Sequence, residues 1–268
     1  MKKLDHLKNI FNNYDHFIID LWGVVHNGIK PYEGAMKTIE ELYNNKKNYI
    51  FLSNAPRPVN DVRKFLIEKM QIEKKFLNNI LTSGEAALNS IKNFNYGKFF
   101  FHLGPERDSK IFEGLENHKT ELEKCDYILC TGLYDDEMDK LNFYEKLLEN
   151  STDKKMICTN PDLIVDRGNI TEYCAGSVAK IFEDLGGKVE YFGKPYPPVY
   201  QQATDIKDKK ILCIGDNLNT DIKGANIQSF DSMLISSGIH KKEIDKNIEK
   251  VQLKYNVKIN YYQSLLKW

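Results

Sequence analysis

The chain has 268 residues, enough for one sizeable domain or two smaller ones that bury most of their apolar surface without disulfides. Hydrophobic residues make up 41% and charged residues 28%, the profile of an ordinary globular protein rather than a disordered or membrane-embedded one. Lys plus Arg and Asp plus Glu both number 38, and the resulting zero net charge removes the broad electrostatic case for nucleic acid or an anionic membrane as partner.

The five cysteines, Cys125, Cys130, Cys158, Cys174 and Cys213, form no CxxC pair and read as reduced core thiols. Asp5, His6, Lys8 and Asn12 interrupt anything like a signal-peptide segment, and no apolar run reaches membrane-spanning length. The expectation is a cytoplasmic protein.

Short apolar runs predict strands at 17–20, 49–53, 98–103, 127–131, 156–159, 189–192, 211–215 and 233–236. Most alternate with helical patterns, which predicts the α/β class. A helix is expected over 33–45, opened by Pro31 and with Ile39 and Leu42 on one face. A second, over 59–70, follows Pro58 and spaces Val62, Phe65, Leu66 and Met70 for burial. Residues 84–187 carry strands of their own and helices at 140–149 and 177–185, enough for an inserted domain. From 189 onward the first pattern returns, so 1–83 and 188–268 are expected to form one discontinuous domain around the insert. Tyr261, Tyr262 and Trp268 predict a C-terminal tail that packs down.

The chemistry gathers at strand ends. The run from Phe17 ends in Asp20 and enters a glycine-containing turn. On that stretch alone, a functional carboxylate and a turn or N-cap Asp are equally good readings. Other predicted strands end in Ser53-Asn54, in Gly193-Lys194-Pro195, and in Gly215-Asp216 with Asp221 five residues on. A carboxylate, a hydroxyl, an ammonium and a further acidic pair make a phosphoryl-transfer set. The first can attack phosphorus, Ser and Lys can bind its equatorial oxygens, and paired acids can hold Mg²⁺.

The order and identity of these motifs resemble the haloacid dehalogenase superfamily of aspartate-nucleophile phosphatases. The insert, with Thr159-Asn160-Pro161-Asp162 and Cys174-Ala175-Gly176-Ser177, resembles the large α/β cap of its class IIA branch, which includes p-nitrophenyl-phosphatase-like and sugar-phosphatase-like enzymes. The resemblance implies a Rossmann-like core with a mainly parallel sheet and an inserted α/β cap. It implies Mg²⁺ as cofactor and a small phosphate ester as substrate, and it leaves room for cap-mediated homodimers.

Carried across residue by residue, the resemblance makes Asp20 the nucleophile and a metal ligand, joined by the backbone carbonyl of Trp22 and by Asp216. Asp221 would support the metal directly or through water. Ser53, Asn54 and Lys194 would bind the phosphoryl group, and Asn160 and Asp162 in the cap would face the substrate, a turn being the alternative reading of that Asn-Pro pair. One position departs: the family's phosphatases usually place a second Asp two residues after the nucleophile as general acid/base, and here it is Trp22. Indole transfers no proton, and the lost help is typically worth about 10²–10⁴-fold. His26 is the nearest substitute by titration range, a solvated turn His being the competing reading.

Two functions stay open: a phosphatase, or a catalytically weakened phosphate-ligand-binding or regulatory protein that keeps the fold and metal site. His102 reads as structural. The acids Asp135, Asp136, Glu137 and Asp139 are best explained as helix-start charges, and the lysine clusters as solvated faces.

Overall fold

The computed structural model describes residues 1–167, 170–203 and 209–268. In chain order the strands are β1 (Lys2–Lys3), β2 (His16–Ile19), β3 (Asn48–Ser53), β4 (Ile80–Thr82), β5 (Phe100–Leu103), β6 (Tyr127–Cys130), β7 (Lys155–Cys158), β8 (Ile164–Arg167), β9 (Ile170–Tyr173), β10 (Lys188–Tyr191), β11 (Ile211–Gly215), β12 (Asp231–Ile235) and β13 (Tyr261–Gln263). The helices are α1 (Glu33–Asn44), α2 (Val59–Glu68), α3 (Ser83–Ile91), α4 (Leu141–Leu148), α5 (Ala175–Asp184), α6 (Pro197–Ala203), α7 (Lys223–Ile227) and α8 (Lys241–Lys254).

The chain divides into two compact units. The first comprises Met1–Ser53, Arg63–Leu81 and Lys194–Trp268. It is built on a seven-stranded sheet in the order β1-β13-β12-β11-β2-β3-β4. The pairings β11 with β2, β2 with β3, and β11 with β12 are all parallel. Parallel neighbours require crossovers, and buried apolar strands such as Phe17-Ile18-Ile19 explain why the sequence reads as continuous apolar runs rather than alternation. α1 buries Ala35, Ile39 and Leu42, the stripe expected from its spacing. The returning half closes around Leu218, Ile222, Leu234, Ile244 and Ile259.

The register fixes which residues emerge together. Ile19 pairs with Ile214 on one side and Phe51 on the other. Continuing the ladder, the Asp20 amide donates to the Ile214 carbonyl at 2.9 Å. Asp20 is therefore level with Gly215 and Leu52, and Asp216 and Ser53 are each the next residue along.

The second unit, Asn54–Val62 with Thr82–Gly193, holds a parallel sheet ordered β10-β7-β6-β5 and the antiparallel hairpin β8-β9. Its core joins Leu103, Ile128, Met156, Val178 and Phe182. α5 supplies Ala175, Val178, Ala179 and Phe182, the spacing of one buried helical face. The Thr82 hydroxyl accepts the Glu85 amide at 3.0 Å, capping α3, and donates to the Arg57 carbonyl at 2.6 Å.

Several details differ from the sequence reading. The strand expected at 189–192 to resume the first pattern is β10, and it pairs with β7 from Lys188↔Lys155 to Tyr191↔Cys158. The second unit accordingly runs to Gly193 and also takes Asn54–Val62, whose Arg57 and Val59 bond to Thr82 and Glu85. The tail packs as expected, through β13 against β12 and β1 and through Trp268 at 4.7 Å from Phe11. The hairpin β8-β9 and the edge strands β1 and β4 are too short to announce themselves. All five cysteines are buried and free of disulfides. No helix among the described residues is long and apolar enough to cross a membrane.

Each unit has its own core, so they should respond separately to damage. Phe182→Ala removes a fully buried ring and should cost about 3–5 kcal/mol. Hydrogen exchange should then show β5, β6 and β7 losing protection while β2, β11 and β12 keep theirs; equal loss in both sheets would contradict separate cores.

Candidate active site

Asp20 leaves the end of β2 and is only 8% exposed. Lys194, 2% exposed, donates from Nζ to Asp20 Oδ1 at 2.6 Å and to Asp221 Oδ1 at 2.7 Å. Asp20, Asp216 and Asp221 offer carboxylate oxygens that all lie within 4.8 Å of one another. Burial pushes the Asp20 carboxyl well above its usual range; the charges of Asp221 and Asp216 push the same way, and Lys194 opposes them.

Glycines make the clustering possible. A Cβ at Gly23 or at Gly238 would collide with the Asp216 carboxylate, and one at Gly215 would collide with the side chain of Asp221. Gly23 also has φ +81°, the left-handed region that glycine enters without strain. Its closeness to Asp216 puts the Trp22–Gly23 peptide beside the acids. Asp216 Oδ2 accepts the Ile239 amide at 3.1 Å. Asp221 returns to the site on a π-helical turn, Leu218–Ile222, whose cap residue Asn217 donates its amide to Asp221 Oδ2 at 3.2 Å.

These donors fit a hard divalent cation. All three side chains are oxygen ligands of the kind Mg²⁺ prefers. Among the described residues, the Lys194 ammonium pairs with Asp20 and Asp221, and a dication would neutralise further negative charge of the three buried carboxylates.

The other expected residues divide between the units. Ser53 ends β3, is buried, and belongs to the first unit. Asn54 belongs to the second, where its Nδ2 donates to Asp162 Oδ1 at 3.2 Å. Asn160 Oδ1 accepts the Asp162 amide at 3.0 Å, a side-chain turn of the kind Asn-Pro predicts. Asn54, Asn160 and Asp162 are thus linked to one another.

His26 has surroundings that differ from both sequence readings. It is 3% exposed, so it is not a solvated turn residue. Its Nδ1 accepts the Gly28 amide at 3.0 Å, and its ring meets Trp22 and Phe65 edge-on at 5.3 and 5.8 Å. Burial lowers its pKa to about 4, so near neutral pH the ring carries no extra proton to donate. The geometry favours packing over the expected acid role. Trp22 lies on Gly28, where a Cβ would run into the indole. His102 is structural: it pairs with the Thr131 hydroxyl at 2.8 Å and packs on Phe112. Asp135 meets Arg107 at the start of a short 3₁₀ turn, away from any metal-ligating group among the described residues.

Sequence reasoning overlooked Gly238, Asn217 and the Ile239 amide.

Residues 17–117 match the haloacid dehalogenase-like hydrolases and residues 191–257 match the HAD-hydrolase-like family. An acid sugar phosphatase of Staphylococcus epidermidis is 25% identical over 85% of this chain and 88% of its own. A haloacid dehalogenase-like hydrolase of Brucella suis superposes with a TM-score of 0.86 at 29% identity, covering 98% of this chain and 99% of its own. A p-nitrophenyl phosphatase of Archaeoglobus fulgidus shares the fold, with a TM-score of 0.72 at 19% identity over 94% and 96% of the two chains. Both matched models describe haloacid dehalogenase-like hydrolases, and the chain belongs to that superfamily.

Proposed function

We propose that this protein is a Mg²⁺-dependent phosphatase that hydrolyses a small phosphorylated metabolite in the cytoplasm through an aspartyl-phosphate on Asp20. The observation that carries the reading is the single ammonium of Lys194 held between Asp20 and Asp221 inside a buried carboxylate group. The family membership and the likeness to an acid sugar phosphatase support a phosphate ester as substrate.

In this reading an Asp20 oxygen attacks phosphorus, the ester P–O bond breaks, and the electron pair leaves on the alcohol oxygen, which takes a proton from solvent. Water then attacks the same phosphorus and releases a proton to solvent, the bond to Asp20 breaks, and the carboxylate is restored as phosphate departs. Lys194 offsets the repulsion between an anionic nucleophile and an anionic substrate. Ser53 and Asn54 bind the phosphoryl oxygens. Asp20, Asp216, the Trp22 carbonyl and, directly or through water, Asp221 would hold Mg²⁺, which supplies further neutralisation of phosphate charge. The second unit acts as the cap, with Asn160 and Asp162 selecting the substrate.

Trp22 sets the limit on this chemistry. With no carboxylic acid two residues after the nucleophile, the leaving oxygen is protonated by solvent alone. Esters of acidic alcohols should therefore react best. The same residue motivates a second reading, a phosphate-ligand-binding protein with little turnover.

A panel of phosphate esters separates the two. With Mg²⁺, aryl phosphates should turn over faster than alkyl phosphates by a factor on the order of 10² or more, and chelation should abolish both. No turnover above that of Asp20→Asn would sink the enzyme reading.

His26→Gln should leave the shape of the pH–rate profile intact between about pH 5 and 9, since a ring of pKa about 4 is neutral throughout. Its effect should be on stability. The fold binds the His26 proton only near pH 4, whereas the unfolded chain binds it near 6.5, so the wild-type protein should lose stability relative to His26→Gln as pH falls through that window. A lost basic limb in the variant's rate profile would restore His26 as an acid.

A further inference from the structure

The turn after β12 touches the acidic loop twice, through consecutive residues. The Ile239 amide donates to Asp216 Oδ2, and the next residue, His240, brings its Nε2 to 3.3 Å from Asn217 Oδ1. Asn217 is the hub of the loop. Its carbonyl accepts the amides of Asp221 at 3.0 Å and Ile222 at 3.2 Å, and its own amide donates to Asp221 Oδ2. Whatever fixes Asn217 fixes the direction of the Asp221 carboxylate.

Asn217 Oδ1 already accepts the Asn219 amide at 2.9 Å, so the oxygen, not the nitrogen, of its side chain faces this way. His240 must then donate, which requires the proton on Nε2. The ring is 9% exposed and lies edge-on to Tyr255 at 4.9 Å. Its Nδ1 is 4.0 Å from Glu243 Oε1, an oxygen that accepts the Tyr255 hydroxyl at 3.0 Å, while Lys254 holds the other Glu243 oxygen at 2.6 Å.

We propose that His240 is a positioning residue for the cation site: its Nε2–H holds Asn217, and through Asn217 the Asp221 carboxylate, in the arrangement that receives Mg²⁺. The inference rests on the reading of Asp20, Asp216 and Asp221 as the group that holds the cation. Partners one bond removed from a metal ligand typically change affinity about 10–100-fold, and His240 stands one bond further out.

Calorimetric titration of the full chain with MgCl₂ tests it. His240→Phe keeps the ring's packing on Tyr255 and removes the donor; His240→Gln can restore a donor. The expected result is binding about 3–10-fold weaker in His240→Phe and recovered to within about twofold in His240→Gln. Unchanged affinity in His240→Phe, or equal loss in both variants, overturns the proposal while leaving the cation reading intact. No Mg²⁺ binding by the wild-type protein removes both. A measurement on the wild type alone covers the case of a variant that does not fold: nitrogen-15 histidine spectra at neutral pH should show His240 with its proton on Nε2, and a proton on Nδ1 with Nε2 bare overturns the assignment.

Discussion

The structure turns on one ammonium between two carboxylates. Lys194 reaches Asp20 and Asp221 from a position almost sealed from solvent, and Asp216 adds a third acid to the same place. Left to themselves, three buried carboxylates would separate or take up protons, and the upward push on Asp20 records that tension. A buried ion pair is weak evidence of stability, because desolvation offsets most of the attraction. Its presence therefore points to chemistry, and the rest of the first unit can be understood as the frame that holds it.

That frame is a matter of register and clearance. Parallel pairing of β2 with β3 and β11 brings Asp20, Ser53 and Asp216 out of the sheet at nearly the same height. Glycine then supplies the space. Gly23 and Gly238 let two loops close on the Asp216 carboxylate, and Gly215 lets Asp221 fold back over the strand end. Backbone amides of Ile239 and Asn217 complete the hold on the acids. In the proposed reaction this preorganisation matters more than any one contact, because phosphoryl transfer asks a protein chiefly to position groups and stabilise charge.

Much of this is legible in the chain, for a physical reason: each candidate group stands at or soon after the end of a local apolar run, and local runs can be read without knowing their partners. Asp20, Ser53, Lys194, Asp216 and Asp221 stand out as candidates in that way. What depends on distant pairing does not. The strand at 188–191 looks like the start of the returning half, yet it completes the second unit's sheet because β7 is its neighbour. His26 reads as a turn residue or an acid because it stands before Asn-Gly, and only the packing of Trp22 and Phe65 around it reveals a buried, neutral ring. His240 gave no signal at all, since its partner Asn217 lies on another loop.

The local turn after Asp20 then acquires a consistent meaning. Trp22, His26 and Gly28 pack on one another, so the position that could have carried an acid instead stiffens the loop whose backbone adjoins Asp216. In the proposed reaction Asp20 itself carries the phosphoryl group. The most direct measurement is mass spectrometry of protein quenched in acid during turnover of p-nitrophenyl phosphate. One added phosphoryl group is expected on the peptide containing Asp20, lost in Asp20→Asn; turnover with that peptide unmodified, or with the group on another residue, would rule out Asp20 as the nucleophile.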